Sequence, residues 1–257
     1  MPSKPCKNTD RCEARGLPYD ASCAATHGEE ADTTPCHNHE RHKLPFFTPY
    51  AFLREMNLLD HHTHNPNAPT GRAIVCLPRN VVENPKTFTP QKDALYSVGV
   101  HPWWTDELCF NQSASLLQLW QGVQTLASHP QVIAIGETGL DRQRGNFLQQ
   151  DKLFAAHIQL ASKLHKPLII HCVRAFDRLL FWRKKFATDA DAPWFVHGFR
   201  GKPDLASQLT AAGIQLLFGP KANAQTLKLF RPDKLRLETD DSGLSIEEVA
   251  QAIEQLL

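Results

Sequence analysis

Residues 132–141 read Val-Ile-Ala-Ile-Gly-Glu-Thr-Gly-Leu-Asp. The run Val132–Gly136 is short and almost wholly apolar, as expected of a parallel strand covered on both faces. It ends in Glu137, with Asp141 four residues further on. A carboxylate at the end of a buried run is costly unless it is paired or bound to a metal. One stretch thus combines a buried parallel strand with charged chemistry at its C-terminal end.

The same pattern repeats on both sides. Runs at Asn57–His61, Arg72–Leu77, Tyr96–Val100, Leu168–His171, Trp194–Val196, Ile214–Phe218 and Leu235–Glu238 bring the predicted strands to eight. Helical segments separate most of them: Ser113–Ser128, Phe147–His165, Ala175–Phe186, Pro203–Ala212, Ala222–Phe230 and Ile246–Leu256. In the second of these, Phe154, Ile158, Ala161 and His165 fall on one face at helical spacing. The last opens with Ser245 and Glu248 at the spacing of a capping box. The connection Asn65–Gly71 is too short for a helix, and Pro78–Asp93 carries proline and asparagine and reads as irregular. Eight strands with mostly helical crossovers predict an α/β fold, a compact (β/α)8 TIM barrel with irregular first connections. An open doubly wound sheet is the alternative, but its usual Gly-rich first turn is missing.

The chain has 257 residues, 28 Lys+Arg against 27 Asp+Glu, and 42% apolar residues. That is enough to bury a core, and the balanced charge excludes a polybasic protein that holds nucleic acid by bulk electrostatics. No apolar run approaches a membrane span and no secretory h-region opens the chain. The seven cysteines read as reduced thiols in a cytoplasmic protein. Residues 1–44 are nearly devoid of large aliphatic side chains, and such a composition cannot offset the entropy of ordering it. The expected division is a Cys- and His-bearing tail over residues 1–50, disordered or non-native, and a barrel over 51–257. Cys6, Cys12, Cys23 and Cys36 are spaced too widely for a usual zinc module. Met56, directly before the first strong strand, is an alternative start.

In a (β/α)8 barrel the active site lies at the C-terminal ends of the strands. Here those ends carry Asp60-His61-His62-Thr63-His64, His101, Glu137 with Asp141, His171, His197, and Glu238-Thr239-Asp240. His62 and His64 are two apart, so on an extended strand they share a face and suit a divalent cation. Glu137, opposite them, suits a bridge between two ions; His171 and His197 would supply the second ion, and Asp240 closes the ring. Hydrogen-bonded strand ends, and a turn at Asp240-Asp241-Ser242-Gly243, are the competing readings. His129, His157 and His165 lie on or beside helices and read as surface or packing residues.

The ordered set Asp60-x-His62-x-His64, Gly99-Val100-His101-Pro102, Gly136-Glu137-x-Gly139-Leu140-Asp141, Pro167-Leu168-Ile169-Ile170-His171, His197-Gly198-Phe199 and Glu238-Thr239-Asp240 resembles the TatD-like metal-dependent hydrolases, in a short-chain subgroup. These are TIM-barrel proteins of amidohydrolase type, several of which are deoxyribonucleases, and the resemblance spans roughly residues 57–250. It implies that His62, His64 and Asp240 bind one ion, that Glu137 bridges, and that His171 and His197 bind the other. It implies Mg or Mn as the ions, although a His-rich set also suits Zn. Asp240 would double as general base, and Glu137 and Asp240 would be the catalytic carboxylates.

His101 would face the substrate phosphate, Arg174 and Arg200 would clamp phosphate, and Asp141 would orient His101 or touch substrate. Surface arginines and a helix N-terminal Asp141 are the ordinary alternatives. Phe52, Trp103, Trp104 and Phe199 could stack bases or simply pack. Where relatives carry His-Ser-Arg, this chain has His171-Cys172-Val173-Arg174, and it reads His197-Gly198-Phe199-Arg200-Gly201 where others carry His-Cys-Phe-Ser-Gly. The chain also stops soon after the last helix.

The expected function is two-metal phosphodiester hydrolysis, as a deoxyribonuclease or exonuclease, with single-stranded DNA ends as partner, no membrane and no obligate protein partner. An ester or amide hydrolase of the same fold, acting on a misacylated tRNA or a small cyclic substrate, is the first alternative. A non-catalytic binding protein on a decayed barrel is the second.

Overall fold

The structure, a computed structural model, describes residues 58–105, 113–186 and 192–257, with residues 113–115 described by backbone alone. The expectations for the tail, for its boundary with the barrel, for a start at Met56 and for Phe52 lie outside these residues.

Eight strands form one parallel sheet in sequence order: β1 (Asp60–Thr63), β2 (Ala73–Cys76), β3 (Leu95–Val98), β4 (Val132–Asp141), β5 (Leu168–Val173), β6 (Trp194–Val196), β7 (Ile214–Phe218) and β8 (Arg236–Leu237). A parallel bridge between Thr63 and Asp240 joins the last strand's extension to the first. At that seam Asp240 N–H donates to His62 O at 3.0 Å, and His64 N–H to Asp240 O at 3.1 Å. The sheet is therefore a barrel, as the spacing of apolar runs predicts.

The helices are α1 (Arg79–Glu83), α2 (Ser113–Leu126), α3 (Phe147–Leu164), α4 (Phe176–Lys185), α5 (Pro203–Ala211), α6 (Ala224–Leu227) and α7 (Ile246–Glu254). The main core cluster joins helix side chains such as Phe154, Ile158 and Leu179 to strand residues such as Ile135, Leu168 and Ile170. A separate small cluster holds Ile74, Ala134 and Ile169. Successive strand residues face opposite ways. Ile169 therefore points into the barrel while Leu168 and Ile170 point at the helices, and His171 follows Ile169 toward the interior axis.

Several boundaries differ from the sequence reading for identifiable reasons. β1 starts at Asp60 rather than Asn57, so His62 stands within the strand. β4 runs on to Asp141 instead of ending at Gly136. Its register against β5 slips between Ile135 and Thr138, which face Leu168 and Ile170, so one extra residue is accommodated as a bulge. Gly139, at φ 151°, passes so close to the His171 carbonyl that a Cβ has no room. The segment Pro78–Asp93 is less irregular than expected: Pro78 caps α1, Val82 is fully buried, and Pro85–Thr87 forms a 3-10 turn. Conversely, α6 is a single turn where Ala222–Phe230 reads as helix. Asn223 caps it late. β8 shrinks to two residues. The remaining ends move by a residue or two, as frayed ends do.

Candidate metal centre

The C-terminal ends of the strands converge on Glu137, whose carboxylate lies in the middle of β4 and is 3% exposed. Its two oxygens face different histidines. Oε2 lies 3.1 Å from His64 Nε2 and 3.4 Å from His62 Nε2, both from β1 or its edge. Oε1 lies 2.7 Å from His197 Nε2, 2.9 Å from His171 Nδ1 and 2.9 Å from His101 Nε2. Asp240 Oδ1 stands 3.7 Å from the Nε2 atoms of both His62 and His64. The six residues expected as ligands are thus brought together at one end of the barrel.

Three groups have ligand atoms within 4.8 Å of one another: His62, His64 and Glu137; His62, His197 and Asp240; His101, Glu137 and His171. The fit to divalent ions has a second support. His62 is fully buried, yet its Nδ1 has no hydrogen-bond partner and its Nε2 meets Glu137 and Asp240 only at 3.4 and 3.7 Å. Leaving a buried polar atom so costs about 1–3 kcal/mol. Imidazoles and carboxylates in this density match the donors that Zn, Mn or Mg sites use.

Burial pushes the Glu137 carboxyl up, but the charge on His197 and hydrogen bonds from His101, His171 and His197 outweigh it and hold the pKa well below the ordinary value. A hydrogen bond to Glu137 raises His64, whereas burial lowers His62 and His101. Burial would lower His197 as well, but Glu137, Glu238 and Asp240 together raise it.

A second ring of groups supports the first. Glu238 is fully buried; its Oε1 accepts from Gly198 N–H and its Oε2 lies 3.9 Å from His197 Nδ1. Burial raises its pKa to about 8. Asp60, also buried, accepts from Thr239 N–H at 3.0 Å and from the Thr239 hydroxyl at 2.6 Å, and its pKa is pushed up by burial to about 6. Asp141 Oδ2 accepts from the Trp103 indole N–H at 2.8 Å and faces His171 Nε2 at 3.3 Å. Its burial is outweighed by these bonds and by Gln143 N–H, so its pKa is lowered. The sequence reading quoted Asp60 and Glu238 within its motifs but gave them no role. The available signal was the two-residue strand period, which sets Asp60 on the face of His62 and Glu238 on that of Asp240.

Other expected contacts are revised. Asp141 is 2% exposed, its Oδ2 faces His171 rather than His101, and it ends a strand rather than opening a helix. His101 lies against Glu137 in the cluster itself. Phe199 is buried against Phe176 and Phe218 and cannot stack a base, because its ring is core. Trp103 is 44% exposed at the mouth, beside the half-buried Trp104. Arg200 is exposed and shares a cleft with Lys221, Gly198 and Asp240. Arg174 is exposed at φ 52° between β5 and α4.

The sequence profile described as TatD related DNase matches residues 75–247, more than half of the chain. His62 and His64 precede the matched stretch, so it is the geometry that joins them to the rest. Similar proteins named 3′-5′ ssDNA/RNA exonuclease TatD include one from Musicola paradisiaca, 30% identical over 159 residues, and one from Erwinia tasmaniensis, 34% identical over 155. The matches take in 56% of this chain and 55% and 56% of those relatives, so the chain spans about half the length of each. Among solved structures, YJJV, a TatD homologue from Escherichia coli K12, superposes with a TM-score of 0.55 at 21% identity, over 78% of this chain and 96% of that one. A TatD family hydrolase from Entamoeba histolytica gives 0.53 at 19%, over 71% and 73%. At these identities the likeness speaks to the fold.

Proposed function

Since the chain belongs to the TatD related DNase family, we propose that it is a two-metal phosphodiesterase that removes nucleotides from the 3′ ends of single-stranded DNA or RNA. The carrying observation is the division of Glu137, with Oε2 turned to His62 and His64 and Oε1 to His171 and His197. A carboxylate so divided suits a bridge between two cations. His62, His64 and Asp240 hold one and His171 and His197 the other, with Mn or Mg the working ions and Zn compatible with the ligands. When bound, such a pair polarises the phosphodiester and lowers the pKa of an attacking water.

The protein's own groups do the rest. Asp240, whose side chain is 23% exposed beside the buried cluster, accepts the water proton as the water oxygen bonds to phosphorus. The P–O bond to the leaving sugar oxygen breaks in line, and that oxygen takes a proton from solvent. His101 would turn its Nε2–H from Glu137 to a phosphate oxygen. Arg200, with Lys221 across the same cleft, and Arg174 further out attract the neighbouring phosphates. Exposed Trp103 offers an aromatic edge for a terminal base. A reducing, cytoplasmic setting belongs to this reading, supported by the free thiols of Cys76 and Cys172. Among the described residues no helix is long and apolar enough to cross a membrane.

The test uses the full chain on 5′-labelled single-stranded DNA and RNA, with Mn or Mg, with EDTA, and beside Glu137→Ala. Stepwise shortening from the 3′ end that needs metal and Glu137 is the expected result. Intact oligonucleotide after incubation with folded, metal-loaded protein would overturn the proposal.

A further inference from the structure

Two histidines, His101 and His171, stand 2.9 Å from the same oxygen of Glu137. By distance alone either could be a metal ligand. Their outer nitrogens distinguish them, and Trp103 supplies both distinctions. The Trp103 backbone N–H donates to His101 Nδ1 at 3.1 Å. A neutral His101 ring then carries its proton on Nε2, the atom aimed at Glu137, and a protonated nitrogen cannot coordinate. The Trp103 indole N–H donates to Asp141 Oδ2 at 2.8 Å, and that oxygen faces His171 Nε2 at 3.3 Å. Asp141 is held from its other side by Gln143 N–H at 2.8 Å, and its own N–H is fixed by Gln150 at 2.8 Å. With a cation at the Glu137 side, His171 therefore keeps its proton on Nε2 and gives the Nδ1 lone pair to the ion. A carboxylate behind a ligating imidazole is the usual way of fixing its tautomer.

We infer that Trp103 is the positioning residue that makes His171 a ligand and His101 a hydrogen-bond donor. It acts on His101 through its backbone and on His171 through its indole by way of Asp141. The inference rests on the two-metal reading.

Zinc is the probe, with protein labelled at histidine nitrogen-15. Long-range proton–nitrogen spectra read the tautomers, and competition with a chelator reads affinity. In the unsubstituted protein two zinc ions bind, His171 coordinates through Nδ1 with Nε2 protonated, and His101 stays protonated at Nε2. Trp103→Phe keeps a ring and the backbone N–H but removes the indole donor. It should weaken one zinc site about 10- to 100-fold and blur the His171 pattern while leaving His101 unchanged. Asp141→Asn, which breaks the chain at its other link, should do the same, and circular dichroism checks that both variants fold. Wild-type affinity and an unaltered His171 pattern in both would overturn this inference and leave the two-metal reading standing. Failure of the unsubstituted protein to bind zinc at His171 would overturn both.

Discussion

At the scale of single residues, burial is tolerated wherever a partner meets the charge. Glu137 is ionised in the interior because histidines from β1, β5 and the ends of β3 and β6 surround it. Asp60 is the opposite case. Its neighbours are hydroxyls and amides, and burial raises its pKa from 3.8 to about 6. The folded state therefore binds this proton more tightly than the unfolded chain does. Its stabilising contribution is complete below pH 3.8 and is lost as the pH rises through about 6, a change of roughly 3 kcal/mol. Asp60→Asn keeps an acceptor for Thr239 N–H and removes the titration. From acid to neutral pH the stability of this variant, read from urea midpoints, should rise relative to that of the unsubstituted protein; a difference that does not change with pH would refute the argument. His157 shows how a bland reading can be right. It is fully buried, its Nδ1 donating to Leu153 O at 2.7 Å and its Nε2 accepting from Val100 N–H at 3.0 Å. Candidate ligands such as His62 or His171 are legible in sequence because a polar residue ending an apolar run declares itself. Glu238, Asp60 and the indole of Trp103 act across strands, and which side chain faces which depends on register that one sequence does not display.

At the scale of elements, apolar runs located every strand but could not say where each stops. β4 continues through a carboxylate because four more residues, Thr138 to Asp141, find partners on β5, and pairing outweighs composition there. α6 starts later than its composition suggests because Asn223 caps it there. Capping signals were easier to read. The Ser245 hydroxyl accepts from Glu248 N–H at 3.2 Å, and the Glu248 carboxylate accepts from Ser245 N–H at 2.7 Å. This box opens α7, whose buried face of Ile246, Val249, Ala250 and Ile253 packs into the core. Ser245→Ala should lower stability by about 1 kcal/mol, read as a shift of the denaturant midpoint at unchanged slope. A larger loss would mean that the hydroxyl does more than cap the helix.

At the scale of the whole molecule, the ring is completed by very little. β8 contributes two residues, and the last join passes through the backbone of Asp240, whose side chain stands beside His62 and His64. On the proposed function, a cation held by those three residues would tie the first strand to the last. Adding Mn or Zn should therefore raise the melting temperature, and excess chelator should reverse it. At one hundred times the dissociation constant the gain is about 2.7 kcal/mol. Asp240→Ala should lose most of that increment, as differential scanning calorimetry can measure. An equal increment in both proteins would mean that ions bind without bracing the join. A chain that accumulates substitutions cannot drift freely at such a joint. On the proposed function, whatever loosens the closure would also disarm the chemistry, so selection for turnover alone would keep the barrel shut.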